Sequence, residues 1–393
     1  MDNFWEIEGW ERSDAHLVKL KEMPFQRAFP TFSWKKGLYV LRGPRQVGKT
    51  SWLKSLLLEH SKTHAKDCYY LSCENVRDHL DLAQILSDVQ KKKWIFLDEI
   101  TFVSEWARAV KHAWDSGKLH GLVLTGSNAH DLRRGGERMP GRISKANELT
   151  LLPMGLDEFT QMRQQAGWIE NSPLETLKKY FKIGGFPLAV AESGKEGLPP
   201  TEAWNTYRNW LIGDFTKLGK QESYLREVLL QLCKTMGTPL SLQKLATRTQ
   251  IASHHTVLSY LQTLEDCYAL RTLYALDSNT GALRFKKEKK FYFTDPLLYW
   301  MALDWGAEIQ PHEYEPALAE MVAHEFLARN YNRFGYYQSN KGEVDFYLKD
   351  RWAIEVKWSA VVTNLSEAYK NIQVPRKWVW NQTNFLNRDN LKE

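Results

Sequence analysis

Gly43-Pro-Arg-Gln-Val-Gly48-Lys49-Thr50 constrains this chain more than any other stretch. It follows an apolar, strand-like run, Leu38-Tyr-Val-Leu-Arg42, and opens a predicted helix. Strand, glycine-bearing turn and helix start make an anion cradle. Glycines let backbone N–H groups wrap an anion without Cβ clashes, and the helix N-terminus adds positive dipole. The lysine and the hydroxyl then complete the G-x-x-x-x-G-K-[ST] pattern. Gly43, Pro44, Arg45, Gln46, Val47, Gly48, Lys49, Thr50 and Ser51 are therefore expected to hold the phosphates of ATP. Lys49 would reach the β- and γ-phosphates, and the Thr50 hydroxyl would ligate Mg2+.

Other short apolar runs share this half of the chain: Cys68–Ser72, Trp94–Leu97, Leu122–Thr125 and Glu148–Leu152. Their near-continuous hydrophobicity suits a parallel sheet buried on both faces, with helices between the strands. This predicts an α/β domain ending near Pro153. The third run ends in Asp98-Glu99, at the strand end where an open parallel sheet binds its ligands. Asp98 is expected to hold Mg2+ and Glu99 to polarise the attacking water. The fourth ends in Thr125-Gly-Ser127-Asn128, where Ser127 or Asn128 could reach between γ-phosphate and water. Arg142, just before the fifth run, is the expected transition-state cation, in its own site or a neighbour's.

The composition is that of a soluble globular protein, with 43% hydrophobic and 25% charged residues among 393. No apolar run approaches the roughly 20 residues of a membrane span. The start, MDNFWEIEGWERSD, lacks the basic and apolar regions of a signal peptide. A cytoplasmic protein without membrane contact is expected. Cys68, Cys73, Cys233 and Cys267 have no zinc-ligand spacing and read as buried free thiols. The net charge of +6 says less than its distribution.

After residues 1–30, an N-terminal extension, and 31–154, the α/β core, residues 155–236 read as a helical, lid-like domain interrupted at Gly184-Gly185-Phe-Pro187. Residues 237–300 run helix, turn, helix and β-hairpin, the order of a winged helix. Ser253 is the expected N-cap of the second helix, which carries His254, His255 and Ser259; the hairpin carries Arg284, Lys286, Lys287, Lys289 and Lys290. These are the candidate DNA contacts, the cations for phosphates and the helix for a groove. The alternative is an intramolecular lid with a solvated basic face.

Residues 301–393 carry acids on adjacent predicted strands. If Lys349-Asp-Arg351 is the hairpin loop, Asp345 lies opposite Glu355, and Glu343 opposite Lys357, on one sheet face. Facing carboxylates destabilise a sheet unless a cation lies between them. This arrangement resembles the PD-(D/E)xK nuclease core. The resemblance implies Asp345 and Glu355 as Mg2+ ligands, Lys357 assisting the water, and a further acid from a preceding helix, Glu320 before Glu325. It also implies branched DNA, such as Holliday junctions, as a substrate.

Taken in order, RGPRQVGKT, FLDEI, LTGSN, PGR, GGFP, Thr256-Val257-Leu-Ser-Tyr260, GEVDF and EVK resemble one family across nearly the whole chain. It is the bacterial and archaeal AAA+-type ATPases with a winged helix and a C-terminal nuclease-like domain. Thr101 stands where relatives often carry a bulkier polar residue. The resemblance implies an α/β AAA+-like core with a parallel five-stranded sheet, self-association into an oligomer, and a DNA-linked role. Two readings stand: an ATPase acting on DNA, or an ATP-dependent switch whose nuclease-like domain is a non-catalytic platform.

Overall fold

The computed structural model describes residues 3–127, 141–307, 313–362 and 364–385. The chain divides into two compact units, Met1–Pro153 and Met154–Glu393. Among the described residues, no helix is long and apolar enough to cross a membrane.

The first unit is an α/β layer structure. Its strands are β1 (Gly37–Arg42), β2 (Cys68–Ser72), β3 (Trp94–Asp98), β4 (Gly121–Gly126) and β5 (Glu148–Thr150). They form one parallel sheet in the order β2-β3-β4-β1-β5. Leu38 to Leu41, Trp94 to Leu97 and Leu122 to Leu124 are all buried, as a sheet covered on both faces requires. The helices are α1 (Ala15–Glu22), α2 (Lys49–His64), α3 (His79–Asp88) and α4 (Trp106–Asp115). Residues 3–30 do not trail the core: Trp5, Trp10, Leu17 and Phe25 are buried, and Lys54 of α2 pairs with Asp14. The strand order positions the site. β4 lies between β1 and β3, so its C-terminal end separates the glycine loop from Asp98-Glu99.

The second unit begins with helices α5 (Leu156–Gln165), α6 (Pro173–Ile183), α7 (Pro187–Ser193), α8 (Thr201–Lys217) and α9 (Glu222–Thr235). Next come α10 (Leu242–Thr247), α11 (His254–Asp266) and the antiparallel hairpin β6 (Leu270–Tyr274) and β7 (Lys289–Phe293). Ser253 does cap α11, its side chain accepting from the His255 N–H. The chain continues through α12 (Pro296–Trp305) and α13 (Glu315–Asn330) into a mixed sheet. Its strands are β8 (Gly335–Ser339), β9 (Gly342–Leu348), β10 (Trp352–Val356) and β11 (Arg376–Trp380), in the order β11-β10-β9-β8, with α14 (Glu367–Asn371) beside them. β8 and β11 are absent from the sequence reading.

The loop of the β6–β7 hairpin does not project freely. Ala275 bridges to Tyr336 of β8, the Leu276 N–H donates to the Tyr336 carbonyl at 2.9 Å, and the Tyr336 hydroxyl donates to the Glu288 carbonyl at 2.6 Å. Leu276 and Leu283 pack into one apolar cluster with Val344, Tyr347, Ala353 and Tyr369. The hairpin is thereby fastened to the C-terminal sheet.

The Gly184-Gly185-Phe-Pro187 break is more than a turn. Gly184 ends α6 with φ 80°, and Asp295 accepts from the Gly185 N–H at 2.7 Å and, as N-cap of α12, from the Leu297 N–H at 2.9 Å. Burial pushes the Asp295 carboxyl up to about 7, against these two hydrogen bonds and Arg329, which pull down, and with Glu325, which also raises it. A folded-state value above the unfolded one means that the folded protein binds the extra proton. This stability is complete below about pH 4 and is lost as pH rises through 7. The contribution is on the order of 2–4 kcal/mol. Urea denaturation should therefore show stability falling from pH 5 to pH 8, and Asp295→Asn should flatten that slope. An unchanged slope in the variant would remove Asp295 as its source.

Candidate functional site

The glycine loop leaves β1 through Gly43, at φ 155°, and enters α2 through Gly48, at φ 99°. A Cβ on Gly43 would lie 1.9 Å from the Leu151 carbonyl oxygen, so the close approach of the chain after β5 requires glycine there. Gln46 is also left-handed, at φ 61°. Arg27, missed by the sequence reading, secures the loop: its guanidinium donates to the Val47 carbonyl at 2.9 Å and also to Leu152. No short motif marks it.

Lys49 is only 4% exposed. Its ammonium donates to the Gly43 and Pro44 carbonyls at 3.0 and 2.8 Å and to the Ser127 Oγ at 2.9 Å. Ser127 in turn donates to Glu99 Oε1 at 2.6 Å, and Lys49 Nζ lies 3.9 Å from that same oxygen. Glu99 is held in a left-handed conformation, φ 50°, which costs about 1 kcal/mol or more for a side-chain-bearing residue. Its N–H donates to Thr125 Oγ1 at 3.0 Å, and that hydroxyl donates to Asp98 Oδ1 at 2.5 Å. The other Asp98 oxygen accepts from Tyr70 at 3.0 Å. Glu99 Oε2 is buried with no hydrogen-bond partner among the described residues.

The donor set fits a magnesium-bound nucleotide. Loop amides and Lys49 would meet the phosphates, and Thr50 and Asp98 would hold the ion. The buried, unpartnered Glu99 oxygen is suited to accept a proton from water. Of the two β4-end candidates, Ser127 makes the bridge between Lys49 and Glu99, while Asn128 lies outside the described residues. Arg142, expected at its own site or a neighbour's, is held by Asp115. Its guanidinium makes a bidentate pair with Asp115, at 2.6 and 2.8 Å. Asp115 ends α4, which returns the chain to the start of β4, so this pair sits at the sheet edge opposite the glycine loop. Arg142 therefore lies away from the Gly43–Thr50 loop of its own chain.

In the second unit, His254, His255, Arg284, Lys286 and Lys287 are exposed, and Phe285 between the cations is 63% exposed. Ser259 instead accepts from Lys220, which also lies over the Tyr260 ring. Lys289 is half-buried, donating to the Phe285 carbonyl at 2.9 Å. Lys290 overturns the expectation of a phosphate contact. It is 0% exposed, because strand alternation in β7 turns it inward with Tyr292.

The β9–β10 register is the expected one. Leu348 pairs with Trp352 and Phe346 with Ile354, so continuation brings Asp345 opposite Glu355. Asp345 Oδ2 accepts the Val356 N–H at 2.9 Å. Glu320 does come from the preceding helix, α13, whereas Glu325 pairs with Arg271 and Arg329. Between the acids lies Lys290, with Nζ 3.0 Å from Glu320, 2.5 Å from Glu343 and 3.2 Å from Asp345. Tyr292 donates to the same Glu320 oxygen at 2.6 Å. Lys357 pairs with Glu355 Oε1 at 2.9 Å, and Glu355 Oε2 is buried without a partner among the described residues. Burial pushes the Glu320 and Glu355 carboxyls up to about 7. Burial also works against the Lys290 charge, but Glu320, Tyr292, Asp345 and Glu343 outweigh it and hold the ammonium well above its ordinary value. Among the described residues, no group of three or more metal-ligating side chains is arranged to hold an ion. Of the expected Mg2+ set, Glu320 and Asp345 are thus engaged by Lys290, and Glu355 by Lys357.

Two family models match the chain. Residues 35–160 match an AAA domain, and residues 174–308 match a domain of unknown function (DUF8612). A curated relative, the uncharacterized protein MJ1544 of Methanocaldococcus jannaschii, is 26% identical over 271 residues, covering 63% of this chain and 59% of that protein. The chain thus spans under two thirds of that relative's length. Solved structures with partial likeness include the Aeropyrum pernix ORC1 protein in complex with DNA, with a TM-score of 0.34, 13% identity, and 78% and 97% of the two chains covered. The Aeropyrum pernix ORC2 protein gives 0.39, 14%, 81% and 92%. The Thermotoga maritima RuvB Holliday junction branch migration motor gives 0.34, 15%, 70% and 88%. At TM-scores this low the likeness does not carry over to function.

Proposed function

We propose that this protein hydrolyses ATP at the Gly43–Thr50 loop and uses the cycle on DNA engaged by α11 and the β6–β7 hairpin. The observation that supports hydrolysis best is the chain from Lys49 through Ser127 to Glu99, with the second Glu99 oxygen unpartnered among the described residues. Lys49 exchanges the loop carbonyls for phosphate oxygens when nucleotide binds. Ser127 then ties the lysine that senses the γ-phosphate to the carboxylate that takes a proton from water. Mg2+, held by Thr50 and Asp98, would neutralise charge on the phosphates. Arg142, directed away from its own loop, suits a role at a neighbouring subunit's site, and self-association follows from that role.

DNA contact is supported by exposed Arg284, Lys286 and Lys287 around exposed Phe285, with His254 and His255 on the helix. Removing both Lys286 and Lys287 as alanines should weaken binding to all duplexes alike and lower the slope of log affinity against log salt by about 2. Fluorescence anisotropy on linear and four-way-junction DNA checks this. ATPase rates with and without each DNA, for wild type and Lys49→Ala, check the coupling. If neither DNA binds at moderate salt nor raises the ATPase rate, the DNA reading fails. The remaining reading is a nucleotide switch. For the C-terminal domain, Lys290 among the acids favours a non-cutting platform over a nuclease.

A further inference from the structure

Three elements converge on one buried point in the second unit. β7 supplies Lys290 and Tyr292, on one face because they are two residues apart; β9 supplies Glu343 and Asp345 for the same reason; α13 supplies Glu320. The Lys290 ammonium contacts all three carboxylates and lies 5.7 Å from the centre of the Tyr336 ring. A buried ammonium is tolerated only when its partners replace its lost hydration, and here three anions and a ring face do so. The reverse also holds. Glu320, Glu343, Asp345 and Glu355 are four acids at least partly withdrawn from water, and only Lys290 and Lys357 lie within ion-pair distance of them among the described residues.

We propose that Lys290 is the built-in cation of this acidic cluster, occupying the place of a divalent metal and excluding it, so that neutral replacement of Lys290 opens a divalent-cation site. Glu320 Oε1, Glu343 Oε1 and Asp345 Oδ1 are the atoms that the ammonium contacts, and a metal would have to take those of Glu320 and Asp345. Both cations compete for the same lone pairs. The buried Glu355 Oε2, unpartnered among the described residues, faces no competing donor and is the ligand an entering metal would gain. Hard oxygen donors of this kind suit Mg2+ or Mn2+. Because Lys290 comes from the hairpin and its partners from the C-terminal sheet and α13, the ammonium also locks these elements together.

The experiment uses the full chain without nucleotide and Mn2+ as the probe, so its result does not depend on the phosphate loop. Electron paramagnetic resonance titration of wild type and Asp345→Asn should give the same Mn2+ binding. Lys290→Met should gain one Mn2+ per chain, and Lys290→Met combined with Asp345→Asn should lose it. Mn2+ should also raise the melting temperature of Lys290→Met and not that of wild type. Should Lys290→Met fail to fold without metal, recovery of folding in Mn2+ supports the proposal, and Lys290→Gln repeats the titration with a polar side chain. A wild-type Mn2+ site abolished by Asp345→Asn would overturn the proposal whatever the Lys290 variants do. So would folded Lys290→Met or Lys290→Gln that gains no Asp345-dependent Mn2+.

Discussion

Glu99→Gln should bind ATP within a few-fold of wild type yet hydrolyse it on the order of 10²–10³ times more slowly. The asymmetry follows from the two carboxylate oxygens. Oε1 accepts from Ser127, and a glutamine carbonyl can accept there equally well, so the Lys49–Ser127 link survives. Oε2 is buried without a partner among the described residues, and it is the atom whose negative charge would draw a proton from water. An amide nitrogen in its place donates where an acceptor is needed. The left-handed backbone at Glu99, secured by the N–H bond to Thr125, keeps the substituted side chain in place. Lys49→Ala should behave differently, losing nucleotide affinity as well as turnover, because its ammonium would supply charge to the phosphates. Single-turnover hydrolysis and titration with a fluorescent ATP analogue separate the two. A glutamine variant that turns over near the wild-type rate would remove Glu99 from the chemistry.

The first unit was the more legible because its signals are local and periodic. β1 to β4 are short apolar runs bounded by turns, and the glycine loop depends on residues contiguous in sequence. What escaped was contact between distant segments. Arg27 reaches Val47 and Leu152 from residues set aside as an extension, and Arg142 is drawn to Asp115 by a helix end that no motif marks. In the second unit, the register of Asp345 against Glu355 followed from the length of one loop, Lys349-Asp-Arg351, with Asp350 left-handed at φ 58°. Lys290 was misassigned because Lys286, Lys287, Lys289 and Lys290 form one basic run. Period-two alternation does separate them: in Lys289-Lys-Phe-Tyr-Phe293, Lys290 shares its face with Tyr292, and both meet Glu320. Composition pointed to solvent, whereas the strand's pleat pointed to the interior. β8 and β11 were missed because Gly335-Tyr-Tyr-Gln-Ser and Arg376-Lys-Trp-Val-Trp show no clean alternation, both being edge strands of their sheet.

Gly185→Ala should destabilise the second unit by more than about 4 kcal/mol, or prevent its folding, because the added methyl meets backbone rather than a movable side chain. A Cβ at Gly185 would lie 1.8 Å from the Met154 carbonyl oxygen and 2.7 Å from its carbon. Neither segment can withdraw cheaply. The Gly185 carbonyl accepts the Met154 N–H at 2.7 Å, its own N–H donates to buried Asp295 at 2.7 Å, and the Met154 carbonyl accepts from buried Tyr180 at 3.0 Å. Relieving the overlap therefore breaks hydrogen bonds in the interior, where an orphaned polar group costs about 1–3 kcal/mol each. Gly213 is the control. It lies within α8, has no atom within 4 Å of an added Cβ and no left-handed backbone, so alanine there should stabilise by up to about 1 kcal/mol. Urea denaturation of both variants against wild type measures the contrast. Equal stability of the two would mean that the Met154–Gly185 contact yields easily, and the Gly184-Gly185-Phe-Pro187 sequence would then be only a turn. The opposite result would make it the joint at which the start of the second unit is fastened to the Asp295 cap of α12.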